Sequence, residues 1–304
     1  MSTLVIHPGP LGDLLLAVPA LRALRAAAPA APLTLAAQPR LGALLTVLGV
    51  VDRHLDFEGL GLERLFVDDR PAVLPDGWQG ASRIVCWFGA RDAVFTRRLR
   101  DVAPGAVVAS PTGDGVGSVW EHLLATVGAS AGSWCRPVAV PPNVGAAGRA
   151  DLERAGWDGR APLLIVHPGA GGVSKRWPAE GFAEVLGALR RTPGPAVLLN
   201  EGPADLDAVA TLGARLGGQA RVLRGLTLPE LTGALAHATA FLGNDSGPSH
   251  LAAAVGVRSL ILYTTATRAW WPWSTTAHPV LVSAVRPDAG QVAAVRDRLT
   301  ALLG

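Results

Sequence analysis

Short, continuous apolar runs alternate along the chain with longer stretches in which leucine and alanine recur at helical spacing. STLVIHP (2–8) is apolar and β-branched, as a strand buried on both faces must be. It leads into DLLLAVPALRALRAAAP (13–29), which has helical spacing and ends at Pro29. PLTLAAQ (32–38) predicts a second strand, RLGALLTVLG (40–49) a helix and RIVCWFG (83–89) a further strand. Residues 136–162 change character, being rich in proline and glycine with room for a short helix at 151–156. The alternation then starts afresh. Strands are expected at 162–170, 195–200, 239–244 and 258–264, and helices at 178–191, 204–217, 228–238 and 248–256. An amphipathic helix at 289–304 closes the chain.

Strand–helix alternation of this kind predicts an α/β fold with parallel sheets and helices on both faces. The two halves rhyme, since LVIHPGPLGD (4–13) and LIVHPGAGG (164–172) share a strand, His-Pro-Gly and a loop. Two Rossmann-like domains facing one another across a cleft are therefore expected. Residues 1–150 would form the first and 151–288 the second, with the helix at 289–304 packing back on the N-terminal domain.

Composition agrees with a folded chain. Of 304 residues, 49% are hydrophobic and 17% charged, and the 36 glycines and 24 prolines punctuate apolar runs without forming repeats. A formal charge of +3 permits phosphate-rich ligands but does not demand them. The densest basic stretch, TRRLRD (96–101), reads as a solvated helix face, so a nucleic-acid partner is not expected. Cys86 and Cys135 lack metal-type spacing and read as free thiols. No basic n-region and no apolar run of about 18 residues is present, which predicts a soluble cytoplasmic protein.

Three glycine-bearing loops fall where parallel strands meet helix N-termini, the place where such sheets hold phosphates. The first, HPGPLGD (7–13), puts Asp13 at a helix start, where an acid is either a cap or a general base. The second, HPGAGGVSKRWP (167–178), carries Ser174 and Lys175 but lacks the P-loop order; its charges are solvated or bind an anion. The third, GNDSGPSHLAAAVG (243–256), gathers Asp245, Ser246, Gly247 and His250 at a helix mouth, with Pro248 in the first turn. Asp205-Leu206-Asp207 lies within an expected helix and is not read as a metal motif. No Gly-x-Gly-x-x-Gly follows the first strand, which disfavours an NAD-dependent oxidoreductase.

These loops, with GDLLLAVPALRALR (12–25) and LYTTATRAWWPW (262–273), make the chain resemble the family 9 glycosyltransferases, the bacterial heptosyltransferase group. The resemblance implies a GT-B fold and an inverting, metal-independent transfer of a sugar, heptose from ADP-heptose, to a lipopolysaccharide-core or other envelope saccharide. It places the donor in the C-terminal domain and the acceptor, for which a lipid-linked saccharide is one option, in the N-terminal one. Asp13 takes the place of the general base and Lys175 that of the group stabilising the leaving diphosphate. Gly12, Ser174, Asp205, Asp245, Ser246, Gly247 and His250 are the expected donor contacts, with Glu201 competing with Asp205 for the ribose. No cofactor and no metal is implied, and membrane contact would be peripheral. Arg91, Arg97, Arg98 and Arg100 are candidate acceptor contacts, and Trp270, Trp271 and Trp273 either stack on ligand or pack. Two alternatives stay open: another GT-B nucleotide-sugar enzyme such as an epimerase, or a catalytically silent homologue acting as a binding subunit.

Overall fold

The computed structural model describes residues 2–68, 78, 80–115, 117–189, 194–218, 220–264 and 268–304. The chain divides into two compact units: Met1–Cys135 with Arg268–Trp270, and Arg136–Thr267 with Trp271–Gly304. Among the described residues no helix is long and apolar enough to cross a membrane.

Unit 1 is a five-stranded sheet in the order β3-β2-β1-β4-β5, all parallel. Its strands are β1 (Ser2–Ile6), β2 (Leu33–Ala37), β3 (Arg53–Asp56), β4 (Ala81–Cys86) and β5 (Val107–Val108). Its helices are α1 (Leu11–Leu16), α2 (Val18–Ala27), α3 (Pro39–Val47), α4 (Ala93–Val102) and α5 (Val119–Thr126). The single helix expected over 13–29 is two, divided at Ala17, because Pro19 has no N–H to continue the ladder. Central β1 is apolar on both faces, and Leu4 and Ile6 join Phe95 and Leu99 of α4 in one core.

Unit 2 repeats the plan with six parallel strands ordered β11-β10-β9-β6-β7-β8. They are β6 (Leu163–His167), β7 (Ala196–Glu201), β8 (Arg221–Arg224), β9 (Ala240–Asn244), β10 (Ser259–Tyr263) and β11 (Ala277–Leu281). The helices are α6 (Pro142–Arg154), α7 (Ala179–Leu189), α8 (Leu206–Arg215), α9 (Leu228–Ala236), α10 (Gly247–Ala254) and α11 (Ala289–Leu303). β6, β9 and β10 are wholly buried, which explains why they read as unbroken apolar runs.

The division into compact units falls after Cys135, where the sequence suggested residue 150, because the proline- and glycine-rich stretch carries α6, packed on α9. The contact is glycine on glycine: a Cβ on Gly148 of α6 would lie 2.0 Å from the Gly233 carbonyl carbon, and one on Gly233 of α9 would lie 2.1 Å from the Val144 oxygen. The final helix belongs to unit 2. Val295 and Leu299 of α11 are fully buried with Leu164, Val166, Phe182 and Leu262 in the core of unit 2.

Both sheets reverse their direction of growth beside their first strand. In unit 1 the chain adds β2 and β3 on one side of β1, then β4 and β5 on the other; in unit 2 the reversal lies between β6 and β9. Ligands of open α/β sheets bind at the carboxyl ends of the strands flanking such a reversal.

Candidate functional site

In unit 1 the chain leaves β1 through His7-Pro8-Gly9-Pro10 and enters α1, with Pro10 at the N-cap and no side chain capping the helix. Asp13 is therefore not the cap; it sits in the first turn, where the helix dipole favours an anion. His7 is fully buried, and its Nδ1 accepts a hydrogen bond from the Gly9 N–H at 3.2 Å, leaving the proton on Nε2. Burial pushes His7 down to about 4, so the ring is neutral at pH 7. Gly9 has no room for a side chain: a Cβ would lie 2.7 Å from His7 Cε1 and 3.3 Å from Asp13 Cβ. The turn is thus drawn tight against the base of α1.

Asp13 is half-buried, and its Oδ1 accepts a hydrogen bond from Trp270 Nε1 at 3.2 Å. Asp13 also lines a cavity of about 560 Å³ between the ends of β1, β4 and β5, whose walls include Phe66, Trp87, Phe88 and Arg91. Gly12, expected among the donor contacts, is buried beside Asp13 in unit 1, whereas the other expected donor residues belong to unit 2. Of the candidate acceptor arginines, Arg91 lines this cavity. Arg97 and Arg98 both pair with Asp68, which that reading had not foreseen.

Unit 2 brings together most of the expected donor residues at its own reversal. The loop after β6 carries Lys175, whose Nζ donates to Asp245 Oδ2 at 2.8 Å at the end of β9. His250 Nε2 lies 3.5 Å from the other oxygen, Asp245 Oδ1. Burial alone would raise the Asp245 carboxyl, but hydrogen bonds from His250 and Lys175, with their charges, outweigh it and hold it below the usual carboxylate range. Ser246 caps α10 by accepting from the Ser249 N–H, and Gly247 opens that helix. Buried Asn244 ties the two loops together: its Oδ1 accepts from the Trp177 N–H at 2.9 Å, and its Nδ2 donates to the Pro168 carbonyl at 2.7 Å. Asn244 was present in the quoted motif but not singled out, because only its burial shows its role as a tie. An exposed ammonium arm thus stands on a buried, ionised carboxylate at a helix mouth, an arrangement fit to meet phosphate oxygens.

Three further residues of that reading make contacts of their own. Ser174 is exposed, and its carbonyl accepts from the Thr264 hydroxyl at 2.7 Å. Asp205 is buried beside His167, 3.6 Å from Nε2, and presses on Gly169, where a Cβ would lie 1.9 Å from its Oδ1. Glu201 pairs with Arg224 at 3.1 Å. The tryptophans also separate. Trp270 belongs to unit 1 and holds Asp13, Trp271 lies against Tyr263 at 6.1 Å between ring centres, and Trp273 is buried. Among the described residues no three His, Cys, Asp or Glu side chains are grouped to hold a metal ion. Both cysteines are free.

Residues 146–293, nearly the whole of unit 2, match the sequence model of Glycosyltransferase family 9 (heptosyltransferase). The chain resembles family 9 glycosyltransferases. Lipopolysaccharide heptosyltransferase 3 of Escherichia coli K12 is 31% identical over 116 residues, covering 36% of this chain and 33% of that protein. The chain thus matches about a third of the length of that relative. The solved family 9 glycosyltransferase of Veillonella parvula superposes with a TM-score of 0.78 at 18% identity, covering 99% of this chain and 97% of that one. E. coli ADP-heptose lps heptosyltransferase II superposes with a TM-score of 0.76 at 20% identity, covering 100% and 98%. The fold is accordingly that of the GT-B glycosyltransferases, two Rossmann-like units in one chain.

Proposed function

We propose that the protein is an inverting glycosyltransferase that moves a sugar from a nucleoside-diphosphate donor, ADP-heptose, to a saccharide of the cell envelope. The observation that carries this is the Lys175–Asp245–His250 cluster at the reversal of unit 2, the unit that matches the family. Similarity to a lipopolysaccharide heptosyltransferase and to an ADP-heptose lps heptosyltransferase supports the choice of donor. The setting is cytoplasmic, with peripheral membrane contact limited to what a lipid-linked acceptor brings.

In this reading the Asp13 carboxylate accepts the proton of an acceptor hydroxyl held by unit 1. The oxygen attacks the anomeric carbon on the face opposite the diphosphate, the bond from that carbon to the diphosphate oxygen breaks, and configuration inverts in one displacement. The diphosphate leaves with the electron pair. Its growing charge meets the Lys175 ammonium and the N-terminus of α10, groups that need no metal to act on phosphate. Asp245 keeps Lys175 in place and charged, and His250 steadies Asp245 from behind.

Turnover of ADP-heptose by Asp13→Asn tests the reading. Removing a general base lowers kcat by about 10²- to 10⁴-fold, while ADP affinity stays within a factor of two or so. Unchanged turnover removes Asp13 as the base.

A further inference from the structure

A histidine is a costly residue to bury at the end of β1. His7 is fully buried, and its Nε2 has no hydrogen-bond partner among the described residues. An aliphatic side chain would fill the same place without stranding a polar atom. We propose that His7 is a positioning residue: by holding the Gly9 N–H, its Nδ1 sets where the Asp13 carboxylate stands when it takes the acceptor proton. This role rests on the transferase reading above and adds the group that holds its base in place.

The line of contacts from His7 to Asp13 is short and anchored. The His7 N–H donates to the Ala36 carbonyl at 2.9 Å, which ties the residue to β2, and its ring meets Trp87 edge to face at 5.8 Å between ring centres. Nδ1 then accepts the Gly9 N–H at 3.2 Å. No other amide hydrogen lies between His7 and Leu11, because Pro8 and Pro10 have none. The Pro10 carbonyl accepts the Leu14 N–H at 3.0 Å, so the turn that His7 holds is also the one that starts α1. Asp13 is the third residue of α1, and where the helix starts decides where its carboxylate stands. Gly9 lies between the two side chains, since a Cβ there would be 2.7 Å from His7 Cε1 and 3.3 Å from Asp13 Cβ. Its backbone is not left-handed, so room, and not conformation, requires glycine at this point.

Unit 2 provides a comparison within the same chain. His167-Pro168-Gly169 repeats the turn at the end of β6, where no general base is expected. His167 is also buried, but its Nδ1 faces the Asn200 carbonyl at 3.1 Å and the Asn200 side-chain amide at 3.2 Å. The space over Gly169 is taken by Asp205 and not by the histidine ring. The His-Pro-Gly sequence therefore does not by itself impose the bond from histidine to glycine. That bond is made in the unit that carries Asp13.

His7→Asn and His7→Leu separate the acceptor atom from the bulk of the ring. An asparagine Oδ1 lies as many bonds from Cα as a histidine Nδ1 and accepts as it does, whereas leucine has the same branching and no acceptor. Hydrogen exchange across residues 8–10 reports the Gly9 amide alone; it should quicken about ten-fold or more in His7→Leu and stay within about three-fold of wild type in His7→Asn. ADP release from ADP-heptose, with lipopolysaccharide-core oligosaccharide as acceptor, is measured per ADP-binding site, which removes any unfolded fraction. His7→Leu should lower kcat about ten-fold or more at an unchanged KM for ADP-heptose, and His7→Asn should restore it to within about three-fold of wild type. Should His7→Leu fail to fold, Gly9→Ala keeps Nδ1 but forces the ring off the turn, and should lower kcat in the same way. Wild-type kcat in His7→Leu or in Gly9→Ala, Gly9 exchange indifferent to His7→Leu, or equal impairment by His7→Asn and His7→Leu overturns the proposal and leaves the transferase reading standing. No ADP release by the wild-type protein removes that reading, and the role of His7 with it.

Discussion

Gly148→Ala and Gly145→Ala make the same change on the same helix and should have opposite effects. Both glycines lie on α6, and alanine is favoured over glycine in a helix by about 1 kcal/mol. At Gly145 a Cβ meets nothing within 4 Å, so that gain is expected nearly in full. At Gly148 the Cβ would stand 2.0 Å from the Gly233 carbonyl carbon and 2.1 Å from the Ala234 nitrogen. Those are backbone atoms of α9 and cannot rotate away. To restore ordinary contact the helices must part by roughly 1.5 Å, an overpacking that costs about 3 kcal/mol or more and outweighs the propensity gain. Urea denaturation of the three proteins reads the difference as midpoint shifts of opposite sign. A stabilised Gly148→Ala would refute the packing of α6 on α9, and with it the assignment of residues 136–154 to unit 2.

Three further outcomes are expected. His7 is held near 4 by burial, so between pH 6.5 and 4 the unfolded chain binds a proton that the folded one refuses, and stability falls as pH falls through that window. That contribution amounts to about 3 kcal/mol across the window; His7→Gln should flatten the pH slope in part, the remainder belonging to His167, which burial also lowers. Trp270→Phe removes the hydrogen bond to Asp13 and should lower kcat by roughly 10-fold through lost positioning, with ADP binding unchanged. Asp245→Asn leaves the Lys175 ammonium without its buried counter-ion, and should weaken ADP binding while removing the stability loss that Asp245, depressed by His250 and Lys175, contributes below about pH 3.8.

The central strands were legible because burial on both faces leaves an uninterrupted apolar run, as in LLIVH of β6 and AFLGN of β9. The four strands that pattern did not predict, β3, β5, β8 and β11, are the edges of the two sheets. RHLD and RVLR carry exposed charged residues, β5 has only two residues, and AHPVL contains Pro279, all features an edge tolerates and a centre does not. Helix α6 was hidden by its prolines and glycines, and the purpose of Gly148 is visible only once α9 lies against it. The loop residues Asp13, Lys175, Asp245 and His250 could be read locally, because strand end, glycines and helix start are contiguous in sequence. The aromatic cavity wall could not, since Trp87 and Phe88 reach Asp13 only through the pairing of β1 with β4, and Phe66 joins them from a separate segment. The Trp270 bond spans 257 positions and leaves no local sign.

The central claim is that the reversal of unit 2 holds a nucleoside diphosphate through Lys175 without help from a metal. Thermal unfolding with ADP, UDP, GDP, dTDP and CDP, all in excess chelator, tests it directly. At about 100 times its dissociation constant a ligand bound only by the folded state adds about 2.7 kcal/mol, a shift of several degrees. The account predicts that ADP gives that shift and that Lys175→Met abolishes most of it. No shift with any diphosphate, or an ADP shift untouched by Lys175→Met, would contradict it.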